Sequence, residues 1–349
     1  MLFFYDIIGL GDFMGIIDSI TDALRFKDTV FFKETSDLED KYNALKKLNE
    51  EYPNNEELLS ELFIVKKGLD GENEIAYQLK KANIGMYVLR DIKVKHEDLT
   101  AQIDYVIITP VFVYYVECKN LVGNITVTEK GDFIREFTIN GKKIKKGMYS
   151  PLRQVEAQRE VMRKIWESNH STLTKLFASK NFDYYRRVLV VAANQDTILN
   201  TNKAPKDIKY KVLRADALVR QIEYDLAHRN SDEILETQKG MEKIAQSYID
   251  TSIKEDINYY EYYKNKYCAN ITINTNDNVN NEDLKERLIN LRKTRAIELN
   301  MPAYYIFTNE ELDKLVELKP KSIEELKNIL TPIKEKTHGE VILKEINNI

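Results

Sequence analysis

The sequence predicts a mixed α/β domain with one central sheet, followed by a small all-α domain. Three observations predict it. Short apolar runs with strand character recur from residue 86 to residue 214, separated by turn residues. A long amphipathic helical pattern opens at Pro151 and lies between two of those runs. An asparagine-rich polar stretch, residues 270–281, then leads into a tail with leucines at helical spacing.

The elements follow in order. Residues 1–24 are apolar, but Asp6, Asp12 and Asp18 interrupt them and no Lys or Arg precedes Arg25. A secretory signal needs a basic start, and a spanning helix needs about 20 apolar residues with few charges. We expect a short amphipathic segment that packs on the body or on a partner; membrane-surface attachment lacks the usual basic residues. Leu38, Tyr42, Leu45 and Leu48 recur at helical spacing behind Thr35-Ser36, a capping pair, until Pro53 breaks the run. Leu58, Leu59, Leu62 and Val65 begin a second helix, which either ends at Gly68 or continues through Glu72, Ile75, Ala76 and Leu79.

At residue 86 the period changes. Strands are expected at 86–92, 103–109 and 111–119, with Pro110 as the turn between the last two. Residues 125–128 and 133–139 form a further hairpin pattern, and Asn140-Gly141 turns into Lys142-Lys143-Ile144-Lys145-Lys146. After the Pro151 helix, which carries Val155, Val161, Ile165 and Trp166, come strands at 188–192 and 211–214. Residues 214–265 read as mostly helical with a tyrosine-rich end. The expected divisions are a helical segment over 1–65, the α/β domain over 66–230, a helical connector and linker over 231–281 and the helical tail over 282–349.

The composition sets outer bounds. The chain has 349 residues, 52 Lys plus Arg against 56 Asp plus Glu, a net charge of −4 and 43% hydrophobic residues. At roughly 150 residues per domain, two or three domains are expected, with enough apolar content to exclude global disorder. Twelve Gly, seven Pro and two Cys exclude collagen-like and disulfide-scaffold classes. The near-neutral balance disfavours a cationic coat protein but permits a local basic groove. Cys118 and Cys268 form no CxxC pair, and a cytoplasmic location is expected. His96, His170, His228 and His338 are isolated, with no HExxH, which disfavours a zinc hydrolase.

Chemistry concentrates in one stretch. Glu117 and Lys119 stand two apart on a strand, so they share a face, and Cys118 points the other way. No charge occurs from Val111 to Val116, and a carboxylate and an ammonium closing such a strand are costly unless they pair or bind something. The turn at Pro110 folds this strand back on the one that Asp104 begins, bringing Asp104 beside Glu117. Two close carboxylates repel unless a cation sits between them, and Mg²⁺ suits one or two carboxylates completed by water and phosphate. The alternative is a surface ion pair. Lys142, Lys143, Lys145 and Lys146 are either a solubilising hairpin tip or a clamp for phosphates, with Arg153, Arg159 and Arg163 continuing such a track.

GLDGENEIAYQL, TAQIDYVIITPVFVYYVECKNLVGNI and SPLRQVEAQ together resemble the nuclease-related domain, NERD, of the PD-(D/E)XK nuclease superfamily, over about residues 66–185. The resemblance implies a nuclease-like core, a mixed sheet flanked by helices, and Mg²⁺-dependent phosphodiester hydrolysis, with Mn²⁺ as a substitute. By position it implies Asp104, Glu117 and Glu72 as metal ligands, Lys119 as catalytic lysine and Gln154 as a catalytic-site glutamine, with Gln102 also on the motif. Glu72 has a second reading, as a carboxylate favouring a helix N-terminus. Ser150 stands where the family usually has Asn before Pro-Leu. The products implied carry a 5′-phosphate and a 3′-hydroxyl.

The tail carries LRKTRA, PAYYIFTNEEL, KPKSIEEL and HGEVIL, and resembles the helicase-and-RNase-D C-terminal domain, HRDC, over about residues 282–349. That resemblance implies a nucleic-acid or protein docking module without catalytic residues. Tyr304 and Tyr305 are expected in its core, with base stacking as the alternative. The function expected is a DNA nuclease of repair or defence; the alternative is a non-catalytic DNA-binding scaffold. No GxxxxGK occurs, so a helicase or other motor would act in trans, and no membrane partner is expected.

Overall fold

The computed structural model describes residues 26–53, 55–139, 142–171, 181–268, 279–299, 301 and 303–347. Residues 1–24, the Asn140-Gly141 turn and the linker over 270–278 lie outside them. The first elements are β1 (Thr29–Lys33), α1 (Asp37–Glu51), α2 (Glu56–Lys80), β2 (Met86–His96), β3 (Leu99–Ile108), β4 (Val113–Lys119) and β5 (Asn124–Val127). Next come β6 (Phe133–Ile139), β7 (Lys142–Met148), α3 (Pro151–Ser168), α4 (Phe182–Tyr185), β8 (Arg186–Ala192), β9 (Leu199–Asn200), α5 (Lys206–Lys209), β10 (Val212–Arg214), α6 (Ala215–Ala227) and α7 (Gln238–Thr251). The last are α8 (Tyr259–Tyr267), α9 (Val279–Glu298), a 3₁₀ turn (Ala303–Tyr305), α10 (Asn309–Leu318), α11 (Ile323–Leu326) and α12 (Pro332–Asn347).

The chain divides into two compact units. The first comprises residues up to Asp37, Gly68–Phe137 and Ile144–Glu255. Its main sheet has the order β1-β2-β3-β4-β8-β10. β3 runs antiparallel to both β2 and β4, and the other neighbours are parallel. Helices cover both faces. Leu89, Val106, Tyr115 and Val190 lie with Val155 and Ile165 of α3 and Met241 of α7; Val88, Ile107, Tyr114 and Val191 lie with Ile75 and Leu79 of α2 and Leu218 of α6. Burial on both sides explains why these strands read as nearly unbroken apolar runs.

Several expectations need correction. β1 was not legible as a strand. The middle of the chain holds a second, four-stranded sheet, in the order β7-β6-β5-β9, besides the central one. Asp104 does not begin β3, which starts five residues earlier at Leu99. The polar stretch ends sooner than residue 281, because α9 begins at Val279. Of the two alternatives at Gly68, the structure takes the continuous helix: a mid-helix glycine costs about 1 kcal/mol, and the flanking Val65, Leu69, Ile75 and Leu79 are all buried. Other readings hold, notably Pro151 in the first turn of α3; there Ser150 caps the helix, its side chain accepting from the Arg153 N–H.

The second unit comprises Leu38–Lys67, Thr138–Lys143 and Asp256–Ile349. Leu45, Leu48, Leu58, Val65 and Tyr263 form one of its cores. The helical tail has another, from Leu284, Leu288, Phe307, Leu315, Leu330 and Ile342. Thr308 and Glu311 close a reciprocal cap on α10, and the buried Lys334 pairs with Glu311 at 2.7 Å. Tyr304 is exposed rather than in the core, with its ring stacked on Tyr305 at 4.8 Å. Among the described residues no helix is long and apolar enough to cross a membrane.

His338 of α12 is buried, and burial, with Arg295 and Lys334 nearby, pushes its pKa below the ordinary value. The folded unit therefore keeps it neutral, while the unfolded chain takes up a proton near pH 6.5. Its stabilising contribution is complete above about pH 6.5 and is lost as the pH falls toward the lowered folded value. Acidification from about pH 7.5 to 5.5 is expected to lower the Tm less in His338→Gln than in the unsubstituted chain. Equal drops in the two proteins would reject this role.

Candidate active site

The regular pairing of the main sheet lapses on both sides of Asp104. Toward β2, the register passes from Arg90–Tyr105 to Ile92–Ile103, leaving Asp91 opposite Asp104 outside the ladder. Asp91 has a φ of 51°, the left-handed conformation that Asp tolerates better than most residues. Its carboxylate accepts from the Asp37 N–H at 2.7 Å and from Gln102 Nε2 at 2.6 Å. Gln102 thus braces this bulge. Toward β4, the described pairs stop at Tyr105–Val116, and the Cys118 N–H donates to Asp104 Oδ2 at 2.7 Å. A side-chain carboxylate thereby serves a backbone donor in mid-sheet.

Glu117 occupies the next position of β4 and is 2% exposed, between β3 and β8. Its Oε1 accepts from Lys119 Nζ at 2.5 Å and its Oε2 from Gln158 Nε2 at 3.0 Å. Lys119 also donates to Gln154 Oε1 at 3.1 Å. Gln154 and Gln158 are four apart on α3, so they share the helix face that lies on this edge of the sheet. Gln158 was missed at the sequence level. The signal was present as the second glutamine of PLRQVEAQ, one helical turn after Gln154. Its Oε1 is buried with no hydrogen-bond partner, so an acceptor is left over beside the carboxylates.

Burial is the main cause that pushes the Asp104 carboxyl well above the usual range, and repulsion by Glu117 adds to it. The Cys118 N–H and Lys119 oppose the shift. A positive charge placed between the two carboxylates would relieve that repulsion. Cys118 points to the opposite face, where a Cβ on Gly71 would lie 3.1 Å from its Sγ and 2.6 Å from Asn120 Cβ. Only glycine lets α2 come this close to the end of β4.

Glu72 is placed differently from the expectation. It is buried, and its Oε2 accepts from Arg90 Nη2 at 3.0 Å. Burial raises its pKa, and bonds from Arg90 and Ser36 oppose that. Its backbone carbonyl accepts the Tyr105 hydroxyl at 2.6 Å. Among the described residues no three His, Cys, Asp or Glu side chains gather closely enough to hold a metal. Asp104 and Glu117 therefore stand without a third such side chain, and Glu72 is held by the Arg90 guanidinium.

The basic residues also separate. Lys142, Lys143, Lys145 and Lys146 are exposed along β7, with Lys145 paired to Glu136 at 2.8 Å. Arg153 is exposed at the start of α3. Arg159 and Arg163 do not continue a track, because both pair with Asp183.

Residues 67–192 match the family model of the nuclease-related domain, NERD, and residues 281–346 match that of the HRDC domain. The chain thus carries a nuclease-related domain, and an HRDC domain of a kind associated with nucleic-acid binding. No curated protein and no solved structure matches.

Proposed function

We propose that this chain, with its nuclease-related and HRDC domains, is a metal-dependent nuclease hydrolysing phosphodiester bonds of DNA. The observation that carries the reading is the pairing of half-buried Asp104 with buried Glu117 at a lapse in the sheet ladder, with Lys119 2.5 Å from Glu117. The donor set fits a hard cation. It offers carboxylate oxygens, the ionised form of Asp104 is disfavoured without a counter-charge, and the amide oxygen of Gln158 lacks a partner. Mg²⁺, or Mn²⁺ in its place, would be held by Asp104 and Glu117 and would supply charge neutralisation at the phosphate and activation of water.

The chain's own residues do the rest. Gln158 orients Glu117, and Gln154 holds the Lys119 ammonium where the negative charge of the reacting phosphate develops. Glu72 acts at a distance, by fixing Arg90 and the close seat of α2. The exposed lysines of β7, with Arg153, supply sequence-independent affinity for the phosphate backbone, and the HRDC domain docks nucleic acid.

One observation favours a second reading, a non-catalytic DNA-binding scaffold. Both Glu117 oxygens already accept hydrogen bonds, and the third acid is engaged by Arg90. Incubation with plasmid and linear DNA separates the two. The nuclease reading expects cleavage with Mg²⁺ that stops with EDTA and in Glu117→Gln. DNA binding without turnover under Mg²⁺ or Mn²⁺ selects the scaffold.

A further inference from the structure

A second concave site lies within the first unit, on the same sheet face as Glu117 but apart from it. It is a cavity of about 310 Å³ between α3, α7 and the sheet, in the range that small ligands occupy. Tyr115 marks its inner end, two strand positions and so about 7 Å from Glu117. None of Asp104, Glu117, Lys119 or Gln154 lines it.

Its lining divides by chemistry. Met162, Ile165 and Trp166 of α3 and Ile244 of α7 form an apolar wall, and His170 stacks on Trp166 with ring centres 4.4 Å apart. Opposite in character is a polar floor. The hydroxyls of Tyr115 and Tyr248 share a hydrogen bond of 2.7 Å, and Tyr248 also bonds the buried Arg186. Lys243 stands exposed at the rim. Among the described residues no Asp or Glu lines the cavity, whereas the cations Arg186 and Lys243 do.

We propose that this cavity binds a small aromatic anion, of the size of a nucleoside monophosphate, at a site distinct from the acidic pair. The flat, apolar part of the ligand lies against the α3 wall, and its phosphate or carboxylate meets Arg186 and Lys243. Charge-assisted hydrogen bonds of this kind are about twice as strong as neutral ones, so the anionic group decides affinity. The inference stands whether or not Asp104 and Glu117 support cleavage.

The chain supplies its own reporter, because Trp166 is its single tryptophan. The full chain is titrated in EDTA, with Trp fluorescence read, against thymidine 5′-monophosphate, thymidine, inorganic phosphate and benzoate. A saturable change with thymidine 5′-monophosphate or benzoate is expected, and thymidine and inorganic phosphate should bind at least about tenfold more weakly. Lys243→Glu, at an exposed position where folding is not at risk, should weaken the anion about tenfold, and Lys119→Ala should leave it unchanged. Equal binding of thymidine, insensitivity to Lys243→Glu, loss in Lys119→Ala, or no saturable change up to about 1 mM would each overturn the proposal.

Discussion

Lys119→Ala is expected to cut Mg²⁺-dependent DNA cleavage at least about 100-fold while leaving DNA binding nearly intact, since one preorganised positive group at a reacting centre is worth about that much. Lys119 is bonded to both Glu117 and Gln154, so its ammonium is fixed before any substrate arrives. Alanine removes the charge together with part of a half-buried stem, since the lysine side chain is 24% exposed, so thermal unfolding of the variant is measured alongside. Binding is spared because it depends on many phosphate contacts rather than one. Single-turnover cleavage and equilibrium binding, measured on the same DNA, check both halves. Equal cleavage by the two proteins would remove Lys119 from the chemistry. A parallel loss of binding would make it a docking residue instead.

The second large effect concerns stability. Arg292→Met is expected to destabilise the second unit by about 3 kcal/mol, read by urea or thermal unfolding. Arg292 of α9 is 1% exposed. Its Nη2 lies 2.6 Å from Glu56 Oε1, its Nη1 donates to the Phe307 carbonyl at 3.2 Å, and its guanidinium lies over the Phe307 ring. Methionine keeps much of the volume but leaves the carbonyl and the acid without their donor. Glu56 retains a third of its side chain in water, so most of the cost falls on the buried carbonyl and the lost ring contact. Arg292→Lys is expected to recover only part of it, because a point charge cannot serve Glu56, Phe307 and Asn309 together. A loss below about 1 kcal/mol in Arg292→Met would show that the pair is not a structural keystone.

Much of the architecture follows from local sequence. Apolar runs and turn chemistry mark β2, β3, β4 and β8, and alternation marks β6. Pro110 and the Thr109–Phe112 bonds close the β3–β4 hairpin that sets Asp104 beside Glu117. Ser150-Pro151 starts α3, and the leucine spacing of the tail marks a helical domain. These signals are legible because a period of two, a helical period or a proline acts within a few residues.

Other features depend on chain segments far apart in sequence. β1, five residues long, acquires strand geometry only by pairing with β2 more than fifty positions later. Gln158 meets Glu117 because α3 lies across the sheet face between β4 and β8; its spacing from Gln154 marks a shared helix face but not the partner. Glu72 carries the motif's spacing, yet an arginine on β2 captures it. Arg292 stands among Lys285, Arg287, Lys293 and Arg295 in the sequence and, at 1% exposed, is the most buried of them in the fold.

The sequence by itself determined most elements of the central sheet and of the helical tail, their order, and the presence of Asp104, Glu117 and Lys119 on neighbouring strands. Only the tertiary structure decided which partners those side chains meet: Gln154 and Gln158 at the acidic pair, Arg90 at Glu72 and the Arg186–Tyr248–Tyr115 floor of the second cavity. Backbone hydrogen bonding and apolar periodicity are local and repeat along the chain, whereas a buried charge takes whichever partner packing brings within about 3 Å, and packing is settled by the whole fold.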